Sequence, residues 1–268
     1  MVLDNKKDID FYESLIPKGV RVILNKGAGL SNARNTGAKA ASEGIVAFID
    51  DDAYADENWL RNLIVNYDDS NVLCVGGLIK PIWETGRPPW FPEELDWVVG
   101  CSYKGLPETR SIIRNPIGCN MSFVRDVFEK VGYFREGIGR LRDKPLACEE
   151  AELSIRIIEG IPNSKIIHEP LAIVYHKVPK SRATIRYLTK RSFYQGYSKA
   201  ISARGSANRS KSFSTEITYL NYLLRYAFPR RLKKVSNPET SSQSLALLIS
   251  TSSVLAGYLL GKSTLSRR

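Results

Sequence analysis

Three consecutive carboxylates, Asp50-Asp51-Asp52, stand at the end of the apolar run Ile45-Val46-Ala47-Phe48-Ile49. A β-branched and aromatic run starting from Gly44 reads as a short buried strand. Acids crowded where such a strand stops repel one another and need a counter-charge. A hard divalent cation, Mg²⁺ or Mn²⁺, supplies it naturally, because such ions are held by one or two carboxylates together with substrate phosphates. An acidic surface turn is the plain reading of the triplet taken alone. A second signal lies upstream, in Gly27-Ala28-Gly29-Leu30-Ser31-Asn32-Ala33-Arg34-Asn35-Thr36-Gly37. Glycines after a strand let the backbone approach a ligand, and Ser31 or Asn32 can cap the helix that follows. That helix N-terminus, with Arg34, offers donors and a cation to phosphate. The segment lacks the Gly-Lys-Ser/Thr ending of a P-loop. Glu149-Glu150 reads by itself as a pair of acids favoured at a helix N-terminus. Arg182, Arg186 and Lys190 recur at i, i+4 and i+8, which places them on one helical face. Their opposite charge is a diphosphate, a lipid phosphate or an anionic membrane surface, unless the face is simply solvated.

The elements that must position these residues follow from the alternation of short apolar runs and helical stretches up to about Val178. Strands are expected at Val20–Leu24, Ile45–Asp50, Val72–Ile79, Ser111–Ile113 and Ile166–Tyr175, with helices at Ser31–Ser42, Asn58–Tyr67 and Val124–Val131. Strands alternating with helices imply an α/β layered domain with a largely parallel sheet, whose ligands bind beyond the carboxyl ends of the strands. Residues Pro81–Pro107, with four prolines before Glu93 and with Trp83, Trp90 and Trp97, read as an ordered loop covering the site. Beyond Pro179 the chain becomes basic and aromatic. Ser202–Ser214 is Ser/Arg-rich and reads as flexible, and Arg230-Arg231-Leu232-Lys233-Lys234 precedes the apolar stretch Leu245–Gly261. The 268 residues carry a formal net charge of +11, which points to an anionic partner. Cys74, Cys101, Cys119 and Cys148 show no CxxC spacing, which favours reduced structural thiols over a disulfide framework or a zinc site.

Several motifs in a fixed order carry a resemblance. Gly29-Leu30-Ser31-Asn32-Ala33-Arg34-Asn35-Thr36-Gly37 precedes the strand ending Phe48-Ile49-Asp50-Asp51-Asp52. Then come Asn115-Pro116-Ile117-Gly118-Cys119-Asn120-Met121-Ser122-Phe123, Val131-Gly132-Tyr133-Phe134 with Gly137–Gly139, and Cys148-Glu149-Glu150-Ala151-Glu152-Leu153-Ser154-Ile155-Arg156. Together they resemble the family 2 nucleotide-sugar glycosyltransferases of the GT-A fold. The Pro89-Trp90-Phe91-Pro92 loop and the stretch from Tyr175-His176-Lys177-Val178 to Gln195-Gly196-Tyr197-Ser198-Lys199 are similar to a narrower group. That group comprises archaeal and bacterial enzymes acting on lipid-linked sugars, such as the dolichyl-phosphate-glucose glucuronosyltransferases. The resemblance covers roughly Val20–Lys199.

The resemblance implies a mixed, mainly parallel GT-A sheet with helices on both faces, and an inverting transfer of a sugar from a nucleotide-diphosphate donor to a lipid-linked or glycan acceptor. Asp50 and Asp52 match the DxD positions, with Asp52 the metal ligand and Asp50 nearer the nucleotide ribose. Glu150 matches the general base, with Glu149 as its alternative. His176 matches a histidine that approaches the metal or diphosphate, although a histidine closing a strand is often structural. Asp4, Arg34, Asp50, Asp51, Gly118, Asn120, Arg182 and Arg186 are the expected nucleotide-sugar contacts, and Asp52, Asp50 and His176 the expected ligands of a Mg²⁺ or Mn²⁺ cofactor. Val2-Leu3-Asp4-Asn5 matches the tail of the family's second strand, so the first βα unit is expected to be missing.

Three segments are therefore expected: a GT-A domain at 1–200, a basic flexible or helical linker at 201–244, and an apolar tail at 245–268. Leu245–Gly261 is about seventeen residues, at the lower limit for a bilayer span, and its serines, threonines and glycines weaken that case. Basic clusters upstream fit the cytoplasmic face of a membrane, through a span or an interfacial helix on anionic lipid. No nucleic-acid partner is expected. A basic nucleic-acid-binding protein would account for the charge but not for three acids at a strand end, and an inactive transferase remnant would account for a missing βα unit.

Overall fold

The structure, a computed structural model, describes residues 1–3, 19–139, 146–202 and 213–266. β1 (Val2–Leu3) and β2 (Ile23–Leu24) pair in parallel as a unit apart from the main sheet. α1 (Leu30–Ala40), β3 (Ile45–Ile49), β4 (Ala53–Ala55), α2 (Trp59–Ile64) and β5 (Val72–Trp83) follow. Next come β6 (Ser111–Ile112), β7 (Asn120–Val124), α3 (Asp126–Val131), α4 (Glu149–Gly160) and β8 (Lys165–Val178). The main sheet is six-stranded, in the order β3-β7-β5-β8-β4, with β6 also on β8.

The sheet is mixed and flanked by helices, as expected, but within it only β5 and β8 run parallel. The difference arises at β7. Its residues Asn120–Val124 lie between a turn-like Gly118-Cys119-Asn120 and the helix expected from Val124, yet they insert antiparallel to both β3 and β5. β5 also runs on to Trp83 instead of stopping at Ile79, because β8 pairs with it as far as Val178. Pro81 is tolerated there since β7 pairs with β5 only at Cys74–Gly76, leaving the other edge free of a ladder at Pro81.

Neighbouring residues of β5 point to opposite faces, and both faces are covered. Cys74 joins Met121, Phe123, Phe128, Phe134, Leu153 and Ile157 on the α1/α3/α4 side. There Phe48, Phe123, Phe128 and Phe134 meet edge-on or tilted, at ring separations of 5.6–6.5 Å. Val75 and Ile79 face Trp59 and Leu63 of α2, and Leu95, Val98 and Val99 of a 3₁₀ segment at Glu93–Val99. That segment is the tryptophan-rich loop in ordered form.

The same second face recruits the C-terminal helices α5 (Ile185–Ser202), α6 (Ser214–Tyr222), α7 (Phe228–Leu232) and α8 (Pro238–Ser266) through Leu188, Leu223, Ala227, Ala246 and Leu247. Residues 214–232 are thus packed helix. Arg231 grips Glu94 with both guanidinium nitrogens, at 2.9 and 2.7 Å. The expectation of flexibility at 203–212 lies outside the described residues.

Pro238–Thr264 has a mean hydropathy reaching 1.6 and is long and apolar enough to cross a membrane. Its small residues have a different use: they pack α8 against α5. A Cβ at Gly196 would lie 1.9 Å from the Val254 carbonyl oxygen, and one at Gly257 would lie 1.9 Å from that of Phe193. The Ser192 and Ser250 hydroxyls bond at 2.9 Å in the same seam. Gly257 and Gly261 form the small-xxx-small spacing that permits such approach. Gly257→Val forces the helices apart, so thermal unfolding followed by circular dichroism is expected to show destabilisation of roughly 1–3 kcal/mol or more.

Candidate active site

β3 ends at Ile49, and the acidic triplet turns the chain into β4, with the Ala53 N–H donating to the Asp50 carbonyl at 3.1 Å. β4 lies antiparallel to β8 with Ala53 opposite His176, and the Lys177 N–H donates to the Asp52 carbonyl at 2.9 Å. This register brings His176 Nε2 to 3.1 Å from Asp52 Oδ1. Arg182, on a 3₁₀ turn just after β8, reaches Asp52 Oδ2 and His176 Nε2, each at 3.4 Å. Burial pushes the Asp52 carboxyl up, but the hydrogen bond to His176 and the charges of His176 and Arg182 outweigh it and hold the group below its usual range. Cys101 Sγ lies 3.6 Å from His176 Nδ1 on the other side of the ring.

Arg34 joins the triplet to a second acidic pair. From α1 its guanidinium reaches Glu149 Oε1 at 2.7 Å, Asp50 Oδ1 at 3.4 Å and the Gly118 carbonyl at 3.0 Å. The side chain is buried. Burial opposes its charge, but Glu149, Asp50 and Glu150 overcome that and keep it ionised. A Cβ at position 118 would stand 2.7 Å from Arg34 Nη2, which explains the glycine there. The expected helix cap is not made: α1 starts after Gly29 with no side-chain cap. Instead Ser31 donates to the Ile138 carbonyl at 2.6 Å, and Asn35 exchanges two bonds with the Phe134 backbone at 2.8 and 2.9 Å. These side chains stitch α1 to residues 134–138, which holds Arg34 in line.

Glu149 and Glu150 open α4. Glu149 Oε2 is buried with no hydrogen-bond partner among the described residues. Glu150 is half-buried, and burial together with the Glu149 charge raises its carboxyl from 4.5 to about 7, against the pull of Arg34 and Lys199. Both glutamates and Asp50, Asp51 and Asp52 line one cavity of about 1800 Å³. The Asp50 carboxylate, Cys119 Sγ and a His176 ring nitrogen lie within 4.8 Å of one another, and Asp52 is in contact with His176. This donor set fits a divalent cation: the carboxylates suit a hard ion, while the thiol and imidazole add affinity for softer ones.

A family profile described as "Glycosyl transferase family 2" matches residues 5–132. A glucosyl-dolichyl phosphate glucuronosyltransferase of Haloferax volcanii is 35% identical over 236 residues, covering 87% of this chain and 74% of its own. The chain belongs to glycosyltransferase family 2. A pre-mycofactocin glycosyltransferase of Mycobacterium tuberculosis is 28% identical over 182 residues, and this match covers 66% of the chain and 35% of that relative. A mannosyltransferase from Pyrobaculum calidifontis, solved with GDP-Man and Mn²⁺, superposes at a TM-score of 0.55 with 17% identity, over 96% of this chain and 72% of its own. The architecture is thus that of the GT-A glycosyltransferases.

Within this transferase, Asp50, Asp51, Asp52, Arg34, Gly118, Glu149, Glu150, His176 and Arg182 come together around one cavity. Two of the expected contacts do not join them, and Asp4 lies outside the described residues. Asn120 is fully buried and its amide serves the sheet: it donates to the Leu78 and Ala172 carbonyls at 3.1 and 2.8 Å and accepts from Trp59 Nε1 at 2.8 Å. Arg186 is exposed, outside the lining of the cavity. The three-residue basic face is split because Arg182 precedes the helix, which begins at Ile185. A different face of α5 reaches the site: Gln195 donates to Cys148 Sγ at 3.7 Å, and Ser198 accepts from the Ala147 N–H at 3.1 Å. The spacing of Arg191, Gln195 and Lys199 is the signal that could have found it. Cys119 escaped sequence reading because its partners Asp50 and His176 come from distant segments.

Proposed function

We propose that this family 2 glycosyltransferase moves a hexosyl or uronosyl group from a nucleotide-diphosphate donor to a lipid-linked sugar, with inversion, at the cytoplasmic face of a membrane. The observation that carries this reading is the convergence of two acidic groups on one cavity: Asp50–Asp52 at the end of β3, and Glu149–Glu150 at the start of α4, with Arg34 between them. In this reading Glu150 takes the proton of the acceptor hydroxyl as its oxygen bonds to C1 of the donor sugar, opposite the departing diphosphate. Its raised pKa suits a base working near neutral pH. Asp52, Asp50 and His176 would hold a Mg²⁺ or Mn²⁺ ion, which when bound neutralises the leaving diphosphate. Arg182 adds positive charge on the same side.

The Haloferax volcanii relative's name favours a lipid-linked acceptor over a soluble glycan. Leu245, Leu248 and Leu259 on the outer side of α8 are all more than half exposed, and Lys233 and Lys234 just before it and Arg186 and Lys190 of α5 are exposed as well. An apolar face on a helix that follows one basic cluster and packs beside a second basic helix suits an interfacial helix on anionic lipid, and with α5 covering its inner side α8 is read as lying on the membrane. Calorimetric titration with a nucleoside diphosphate is expected to give binding that depends on Mn²⁺. No heat in either the presence or the absence of Mn²⁺ would sink the enzyme reading.

A further inference from the structure

The cavity is larger than a donor sugar needs. Its volume of about 1800 Å³ exceeds the roughly 300–1,000 Å³ of a typical small-molecule site. From the acids it continues between α5, α6 and α8, where its walls change character. Ile217 and Leu220 of α6 and Val254, Leu255 and Tyr258 of α8 line this limb. Ile217, Leu220 and Leu255 are 53%, 42% and 58% exposed, so the wall presents apolar side chains that a second apolar surface would cover favourably.

Where the two limbs meet, the lining is cationic. Lys199 and Arg114 share the Glu216 carboxylate, with Arg114 at 2.6 Å, so one carboxylate serves two cations. Arg191, two turns before Lys199 on α5, is held by the neutral Gln195 amide at 2.8 Å. The adjoining Ser198 and Gln195 contacts with residues 147 and 148 set this row beside Glu149 and Glu150. Acid, cation and apolar wall therefore follow one another along one cavity. That order is the order of hydroxyl, phosphate and hydrocarbon in a lipid phosphate carrying a sugar.

We propose that the limb between α5, α6 and α8 binds the isoprenoid chain of a polyprenyl-phosphate-linked acceptor, with Arg191 and Lys199 flanking its phosphate. This rests on the transferase reading above and assigns the acceptor side of the same site. Charge complementarity and continuity with the acids select this occupant: a protein segment would not need the cations, and a second nucleotide would not need the hydrocarbon wall.

The test compares three probes in detergent: glucosyl phosphate on a long polyprenyl chain, the same head group on a short isoprenyl chain, and an alkyl glucoside without phosphate. Leu255→Glu and Leu220→Glu place a charge in the limb at exposed positions that the fold tolerates. Each is expected to raise KM for the long-chain acceptor by roughly tenfold or more, and to leave the short-chain acceptor within about twofold. Arg191→Gln is expected to raise KM for both phosphate-bearing acceptors and not for the glucoside. Leu248→Glu places the same charge at an exposed leucine of α8 outside the cavity. An equal KM rise in Leu248→Glu, or no chain-length discrimination in the limb variants, overturns the proposal. Failure of the wild-type protein to bind nucleoside diphosphate with Mn²⁺ would instead remove the transferase reading itself.

Discussion

Glu150→Gln is expected to lower kcat for transfer to a sugar hydroxyl by roughly 10²–10⁴-fold, the range supplied by a positioned general base. Gln keeps the shape of the side chain, so donor affinity and KM should move little. The pH profile gives the same residue a second signature. Burial and the Glu149 charge place the Glu150 carboxyl at about 7, so kcat/KM of the wild-type protein should rise with pH and level off above about 7. The variant should lose that rise. The sign for stability is the opposite one. A carboxyl raised in the folded state favours folding fully below its ordinary 4.5, and that contribution is lost as pH rises through about 7. Above pH 7 the uncharged Gln side chain is therefore expected to be at least as stable as the glutamate, which separates a lost base from a damaged fold. Turnover retained in Glu150→Gln removes Glu150 from that role.

Asp52→Asn should weaken Mn²⁺-dependent nucleotide binding by more than the roughly 10–100-fold that loss of an outer partner costs a metal site. The reason is geometric. Asp52 is the residue that His176 and Arg182 both contact, at 3.1 and 3.4 Å, so the substitution removes a candidate ligand and frees two cationic or metal-binding groups. Calorimetry with and without Mn²⁺ separates the two effects. The metal-dependent heat should fall, while any metal-independent nucleotide affinity should stay level or rise as Arg182 is released towards phosphate. Unchanged Mn²⁺-dependent binding would transfer the ligand role to Asp50 with Cys119 and His176, the other close donor set.

Much of the site was legible because its chemistry is concentrated in short runs. Three adjacent acids after an apolar strand demand a counter-charge whatever surrounds them, and Glu149-Glu150 at a helix start is equally local. The cores of β5 and β8 were also readable, since Val72–Ile79 and Ile166–Tyr175 carry apolar, β-branched runs. The failures were of direction and distance. Asn120–Val124 has the residues of a strand but follows turn-like glycine and proline, and only pairing with both β3 and β5 makes it one. Asn120 stood in a family motif and was expected at the sugar, yet its amide closes gaps between β5, β8 and Trp59. The glycines and serines of α8 weakened it as a membrane segment on composition, while in the fold they are what lets α5 approach.

The sequence by itself determined the two acidic centres, the layered α/β class and the basic, apolar character of the C-terminal helices. Each of these is set by residues within a few positions of one another, where strand and helix periodicity act directly. Tertiary structure alone decided that Arg34 reaches Glu149, 115 residues away, and so joins it to Asp50, that β4–β8 register sets Asp52 against His176, and that α5 brings Arg191 and Lys199 rather than Arg186 to the cavity. Those contacts depend on strand register and helix start, each of which shifts a side chain to another face when it moves by a single residue.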